Sequence, residues 1–129
     1  MIFQREACQP IQSPSIEVLG FELSCIKSSF AYLERQEGAY LQVAGGPDLF
    51  LPEHRNSSGQ HHRAKQVAPQ VSVANGSILQ FSGGNISMSA NEWFVKERVL
   101  EVFSAFMEQR QWPSFLHWQL LRADFTRDC

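Results

Sequence analysis

The stretch Phe30 to Gly46, FAYLERQEGAYLQVAGG, constrains this chain more than any other. Two extended runs, FAYLERQ and AYLQVA, meet at Glu37-Gly38, and Gly45-Gly46-Pro47 closes the second. A glycine in a two-residue connection between such runs signals a hairpin, because tight primed turns need positive φ and glycine supplies it cheaply. A two-residue turn here sets Tyr32 opposite Val43 and Leu33 opposite Gln42.

The totals bound what surrounds that hairpin. A chain of 129 residues fits one domain, residues 1–129, with room for a real core. Apolar residues are 43% and aromatics 12%, including ten Phe, which excludes global disorder. Net charge is −2 and the pI about 6.1, so the basic excess of a dedicated DNA binder is missing. The opening MIFQREACQP has no apolar secretory core, and no run of about 18 apolar residues occurs. Cys8, Cys25 and Cys129 lack metal-type spacing and read as free thiols in a reducing cytoplasm. The expectation is a single soluble cytoplasmic domain with no cofactor.

In order along the chain, Ile2-Phe3 predicts a short strand. Ser13-Pro14 marks a helix start, and Ile16, Leu19, Leu23, Ile26 and Phe30 follow as one stripe, ending near Ser28-Ser29. Beyond the hairpin, LFLPEHR resumes extended structure, with Pro52 placing it at an edge or a bulge. The turn NSSG returns the chain into QHHRAKQV, antiparallel to it. Asn75-Gly76 and Gly83-Gly84 then separate QVSVA, SILQFS and NISMS, predicting a three-stranded meander. Its second turn pairs Phe81 with Ile86 and Leu79 with Met88, while the first sets Val73 opposite Ile78 on the other face.

Ser89 to Glu92 has the form of a capping box, predicting a helix to about Arg110. Val95, Val99, Phe103, Phe106 and Met107 form its core face, and Glu97, Arg98, Glu101, Glu108 and Arg110 its solvated side. Pro113 stops it, and Leu116, Trp118 and Leu120 at period two give a last strand. The fold class is α+β: an antiparallel sheet of about six strands with two helices packed on one face.

The richest polar cluster is Glu53-His54-Arg55 with His61-His62-Arg63 across the NSSG turn. Paired strands bring alternate residues to one face, which offers zinc-capable groups, although the spacing matches no closed metal site. The bland alternative is a solvated face or an Arg–carboxylate pair. His61, His62, Arg63 and Lys65 form a local basic patch, but an acidic chain without interleaved aromatics argues against nucleic acid as a partner. Cys25, beside an apolar helical stripe, reads as a buried inert thiol. No GxSxG, P-loop, HExxH or GxGxxG is present. Trp93 and Trp112, at helix ends, are core lids or interface anchors.

The succession of a helix, YLERQEGAYLQVAGG, a strand ending EHR, a turn into HHRA, NEWF before an amphipathic helix and a closing strand with Trp resembles small bacterial immunity proteins of polymorphic toxin systems (contact-dependent, Rhs or type VI). The resemblance covers about residues 30 to 118, centred on Tyr40 to Gly46, Glu53, Arg55, His62 and Asn91 to Phe94. It implies a non-enzymatic protein, a monomer or homodimer when free, that binds one cognate toxin domain in the cytoplasm and occludes its active site. The exposed candidates for that contact are Glu53, His54, Arg55, His61, Arg63 and Trp93. Two other classes stay open on the residues alone. One is a small metal-dependent or hydrolytic enzyme using His54, His61 and His62. The other is an oligomerisation domain pairing through a sheet edge.

Overall fold

The computed structural model describes residues 1–6, 8–24 and 29–121. Its elements are β1 (Ile2–Arg5), β2 (Ile11–Gln12), α1 (Ile16–Leu23), β3 (Phe30–Glu34), β4 (Tyr40–Gly45), β5 (Leu49–Arg55), β6 (His61–Gln66), β7 (Ser77–Phe81), β8 (Gly84–Met88), a 3-10 turn (Ala90–Glu92), β9 (Phe94–Val95), α2 (Lys96–Glu108) and β10 (Leu116–Leu120). The main sheet runs β10-β6-β5-β4-β3-β1-β2, with β9 paired to the start of β5. The fold is α+β as expected, with eight strands in the main sheet and both helices on one face of it.

The central hairpin forms with a register one residue from the two-residue turn. Leu33 faces Leu41 and Tyr32 faces Gln42. Its loop has three residues: Arg35 N–H donates to the Ala39 carbonyl at 2.9 Å, and Gly38 N–H to the Arg35 carbonyl at 3.0 Å. Gly38, at φ +100°, takes the left-handed position that such a loop demands. The physical reason is burial. This register puts Leu33, Leu41 and Val43 on one face, all fully buried. At about 1.5–3 kcal/mol for each such side chain, burial outweighs preferences among turn types.

Pro52 lies inside the sheet, opposite Val43 on β4. Its other flank is a local edge, because β6 pairs only with Glu53 to Arg55 and β9 only with Leu49 and Phe50. Hydrogen-bonded pairs alternate from Gly46–Leu49, so a residue at position 52 would direct its amide into that gap. A missing donor costs nothing there.

The first helix starts two residues later than Ser13-Pro14 suggested. Ser13 has φ +47°, Pro14 is buried ahead of the helix, and the Ser15 hydroxyl accepts from Val18 N–H at 3.2 Å. Leu19 and Leu23 are buried as expected, whereas Ile26 and Cys25 lie outside the described residues. The Ser89–Glu92 box also forms, with Ser89 N–H donating to Glu92 Oε1 at 2.7 Å. It caps the 3-10 turn rather than the long helix. Trp93 then returns the backbone to extended geometry, Phe94–Val95 pairs with β5, and α2 begins at Lys96. Gln109, in the left-handed conformation, ends α2 well before Pro113.

The three-stranded meander is a two-stranded hairpin. Residues 67–76 form no strand, and β7 and β8 turn at Ser82-Gly83, pairing Leu79 with Ile86 and Phe81 with Gly84. A shift of two residues preserves the faces, so Leu79, Met88, Phe81 and Ile86 still share the apolar side. Val73 packs in a loop against this side, and Ile78 faces solvent.

That hairpin gives the main sheet a second buried face. Leu19, Leu23, Val99, Val102, Phe103 and Phe106 of the helices meet Phe3, Leu33, Leu41, Val43, Phe50 and Phe94 of the sheet. On the reverse face, Ala44, Leu51 and Trp93 pack under Leu79 and Met88. The hairpin covers only one end, leaving the rest of the reverse face open.

Candidate functional site

Strand alternation builds two rows of side chains across this open face. One runs Ile2, Glu34, Tyr40, Arg55, His61, and the next Gln4, Tyr32, Gln42, Glu53, Arg63, Gln119. Hydrogen bonds tie the second row in two sets, Gln4 with Tyr32 and Gln42 with Glu53 and Arg63. Tyr32 Oη donates to Gln4 Oε1 at 3.0 Å, Gln42 Nε2 to Glu53 Oε1 at 3.1 Å, and Arg63 Nε to Glu53 Oε2 at 3.0 Å. Arg63 also lies 3.8 Å, and Lys65 3.7 Å, from Glu92 Oε2. Glu92 is 3% exposed, and its carboxylate is met by these two cations and the Ser89 amide. The 3-10 turn therefore has a role beyond packing: it delivers a buried carboxylate to the rim of the open face.

In the first row, Tyr40 Oη is 3.4 Å from His61 Nε2, and the Arg55 guanidinium lies 5.8 Å from the Tyr40 ring centre. The charges of Glu53, Glu92, Arg63 and Lys65 balance one another. Among the described residues Arg55 and Glu34, which flank Tyr40, have no ion-pair partner. Tyr32, Glu34, Tyr40 and Gln42 line a depression of about 240 Å³, below the usual range for small-molecule sites. The arrangement is a broad, pre-positioned polar and aromatic surface rather than a cleft.

Of the residues singled out in the sequence, Glu53, Arg55, His61 and Arg63 share this face. His54 does not. It points to the helical side, where its ring centre lies 6.0 Å from His62, 5.3 Å from Trp112, 5.4 Å from Trp118 and 5.8 Å from Phe106. Burial, then the positive potentials of His62, Arg35 and His61, hold its pKa down to about 4. His54 is thus a neutral packing group at neutral pH. His54 and His62 stand on one face and His61 on the other, so the three do not converge, and among the described residues no three His, Cys, Asp or Glu groups could hold one metal ion.

Trp93, expected at the surface, is 7% exposed and belongs to the second core. Its carbonyl accepts from Gln66 Nε2 at 2.6 Å. The extended backbone between the 3-10 turn and α2 swings this side chain under the β7–β8 hairpin. Arg98, expected on the solvated side of α2, instead donates to Gln66 Oε1 at 2.5 Å and the Ala68 carbonyl at 2.9 Å, over the Phe115 ring. Trp112, stacked on Phe106, is a core lid.

Sequence reasoning missed Tyr32, Tyr40, Gln42, Gln4 and Glu92 as members of the site. A signal existed for the first three: requiring apolar to face apolar in the central hairpin selects the observed register and turns Tyr32, Tyr40 and Gln42 toward Glu53. Most of the motif residues behind the immunity resemblance hold the fold. Leu41 and Val43 are core, Gly45 packs against Leu79, and Trp93 and Phe94 are buried. Compared with known protein families and with curated proteins, the sequence has no match. No helix among the described residues is long and apolar enough to cross a membrane.

Proposed function

We propose that this protein is a non-catalytic inhibitor of the immunity type, which binds one cognate toxin domain in the bacterial cytoplasm and occludes its active site. The observation that carries this reading is the row Gln4, Tyr32, Gln42, Glu53, Arg63, in which the pair Gln4–Tyr32 and the trio Gln42–Glu53–Arg63 are each held by side-chain hydrogen bonds before any partner arrives. Preorganisation lowers the ordering cost that association otherwise incurs. Tyrosine and arginine are the residue types that most often dominate binding energy. At about 4.8 Å between strands, the first row across five strands is roughly 19 Å long and the second across six roughly 24 Å, which suits a patch of ~800 Å² per partner. Unpaired charges at Arg55 and Glu34 supply the complementarity that steers encounter.

The test is co-expression with the toxin-domain gene beside this one, scored by rescued growth and a co-purifying complex. Tyr40→Ala, Arg55→Ala and Arg63→Ala are expected to weaken the complex by tenfold or more each. Wild-type affinity in all three would move the contact off this face, and a toxin that kills unhindered would remove the inhibitor reading.

A further inference from the structure

We infer that two copies of this chain join through β10, edge to edge, to continue one sheet across a twofold axis. β10 is the terminal strand of the main sheet. The bonds Leu121 N–H to the His61 carbonyl and Val67 N–H to the Phe115 carbonyl, both 2.9 Å, fix which residues pair toward β6. By alternation those are His117 and Gln119, so Leu116, Trp118 and Leu120 direct their N–H and C=O groups outward. Leu116 N–H is taken by the Pro113 carbonyl at 3.1 Å. Among the described residues, Trp118 and Leu120 have no main-chain partner.

Such an edge is normally blunted by Lys, Pro, a bulge or a very short strand. The opposite edge, β2, follows that rule with two residues. β10 does not: its sequence is Leu-His-Trp-Gln-Leu, five residues without a formal charge or a proline.

The occupant follows from the order of those five residues, which is palindromic in character about Trp118. In the antiparallel twofold pairing, Trp118 meets the second copy's Trp118, and Leu116 meets its Leu120. On the other face His117 meets Gln119. Apolar therefore faces apolar three times on the helical side, polar faces polar on the other, and no like charges oppose. Leu120, 44% exposed, gains a cover. The patch is small, so the dimer should be a concentration-dependent one of the weak interface class.

The test is sedimentation or light scattering of the full chain between about 5 and 500 μM. Wild type is expected to move from 14.7 kDa toward twice that mass. Leu120→Lys and Leu120→Pro are both expected to stay at the monomer mass with unchanged circular dichroism. Proline at 120 deletes only an outward amide, a substitution that edge strands accommodate. Hydrogen exchange should slow at the Trp118 and Leu120 amides as concentration rises. A wild type that stays monomeric throughout overturns the inference, and so does a dimer that survives both substitutions. Protection of these two amides by another protein's strand, without self-association, assigns the edge to a different occupant and equally overturns it.

Discussion

Arg63 donates from Nε to Glu53 Oε2 at 3.0 Å, joining the adjacent strands β6 and β5 on the open face. Both side chains are mostly buried by their neighbours, at 24% and 15% exposure. An exposed pair contributes 0–1 kcal/mol, and this one lies toward the stronger end because Gln42 completes the carboxylate's hydrogen bonding. A double-mutant cycle with Glu53→Gln and Arg63→Met is expected to give a coupling of about 1 kcal/mol in chemical denaturation. Coupling indistinguishable from zero would mean that the pair is not held in solution.

Arg55 separates binding from folding. It is exposed and makes no ion pair, so Arg55→Glu should change unfolding stability by less than about 0.5 kcal/mol. On the proposed function it should slow association with the toxin domain by tenfold or more, with the deficit shrinking at high salt. Stopped-flow association rates at two ionic strengths check this. An unchanged rate at low salt would exclude Arg55 from the contact.

The elements whose chemistry is local were legible in the sequence. The β5–NSSG–β6 unit needed only a turn and two runs, and Glu53 to Arg63 came with it. The stripe of α2 needed only its period. What failed depended on competition between local and distant terms. The central turn looked like two residues until burial of Leu41 and Val43 decided for three. The Ser89–Glu92 box looked like the start of α2, yet Phe94 gains more from the core beneath β5 than from a helical turn. Cross-strand rows depend on register, so Tyr32 and Gln42 stayed hidden behind that one-residue difference. The burial of Trp93 had no local signal at all, because it depends on where a hairpin from residues 77–88 lands.

Gly45 is where the two cores touch. It has φ +96°, and a Cβ there would lie 2.7 Å from the Leu49 carbonyl oxygen and 2.9 Å from Leu79 Cδ1. Backbone strain and displacement of the β7–β8 hairpin combine, so Gly45→Ala is expected to cost more than about 2 kcal/mol. Gly38 is the control. Its φ is also positive, but nothing lies within 4 Å of an added Cβ. Gly38→Asn should therefore cost under about 1 kcal/mol, since Asn tolerates the left-handed region. Equal denaturation midpoints for the two variants would contradict the packing described for Gly45.

His54 gives the fold a defined acid sensitivity. Its pKa falls from the ordinary 6.5 to about 4 on folding, chiefly through burial among Phe106, Trp112 and Trp118, then through His62, Arg35 and His61. A depressed histidine pKa means that the unfolded chain binds the proton first, so stability is complete above about pH 6.5 and declines as pH falls toward 4. At about 1.36 kcal/mol per pH unit the window has an upper value of roughly 3.4 kcal/mol. Solvent screening of this partly exposed ring reduces that to roughly 1–2 kcal/mol. His54→Phe keeps the ring in the aromatic cluster and removes the proton. Its unfolding free energy should therefore fall less than the wild type's between pH 7 and pH 4.5, by about 1 kcal/mol. Urea denaturation of both proteins at the two pH values measures that difference, and parallel losses would place the acid sensitivity in other groups.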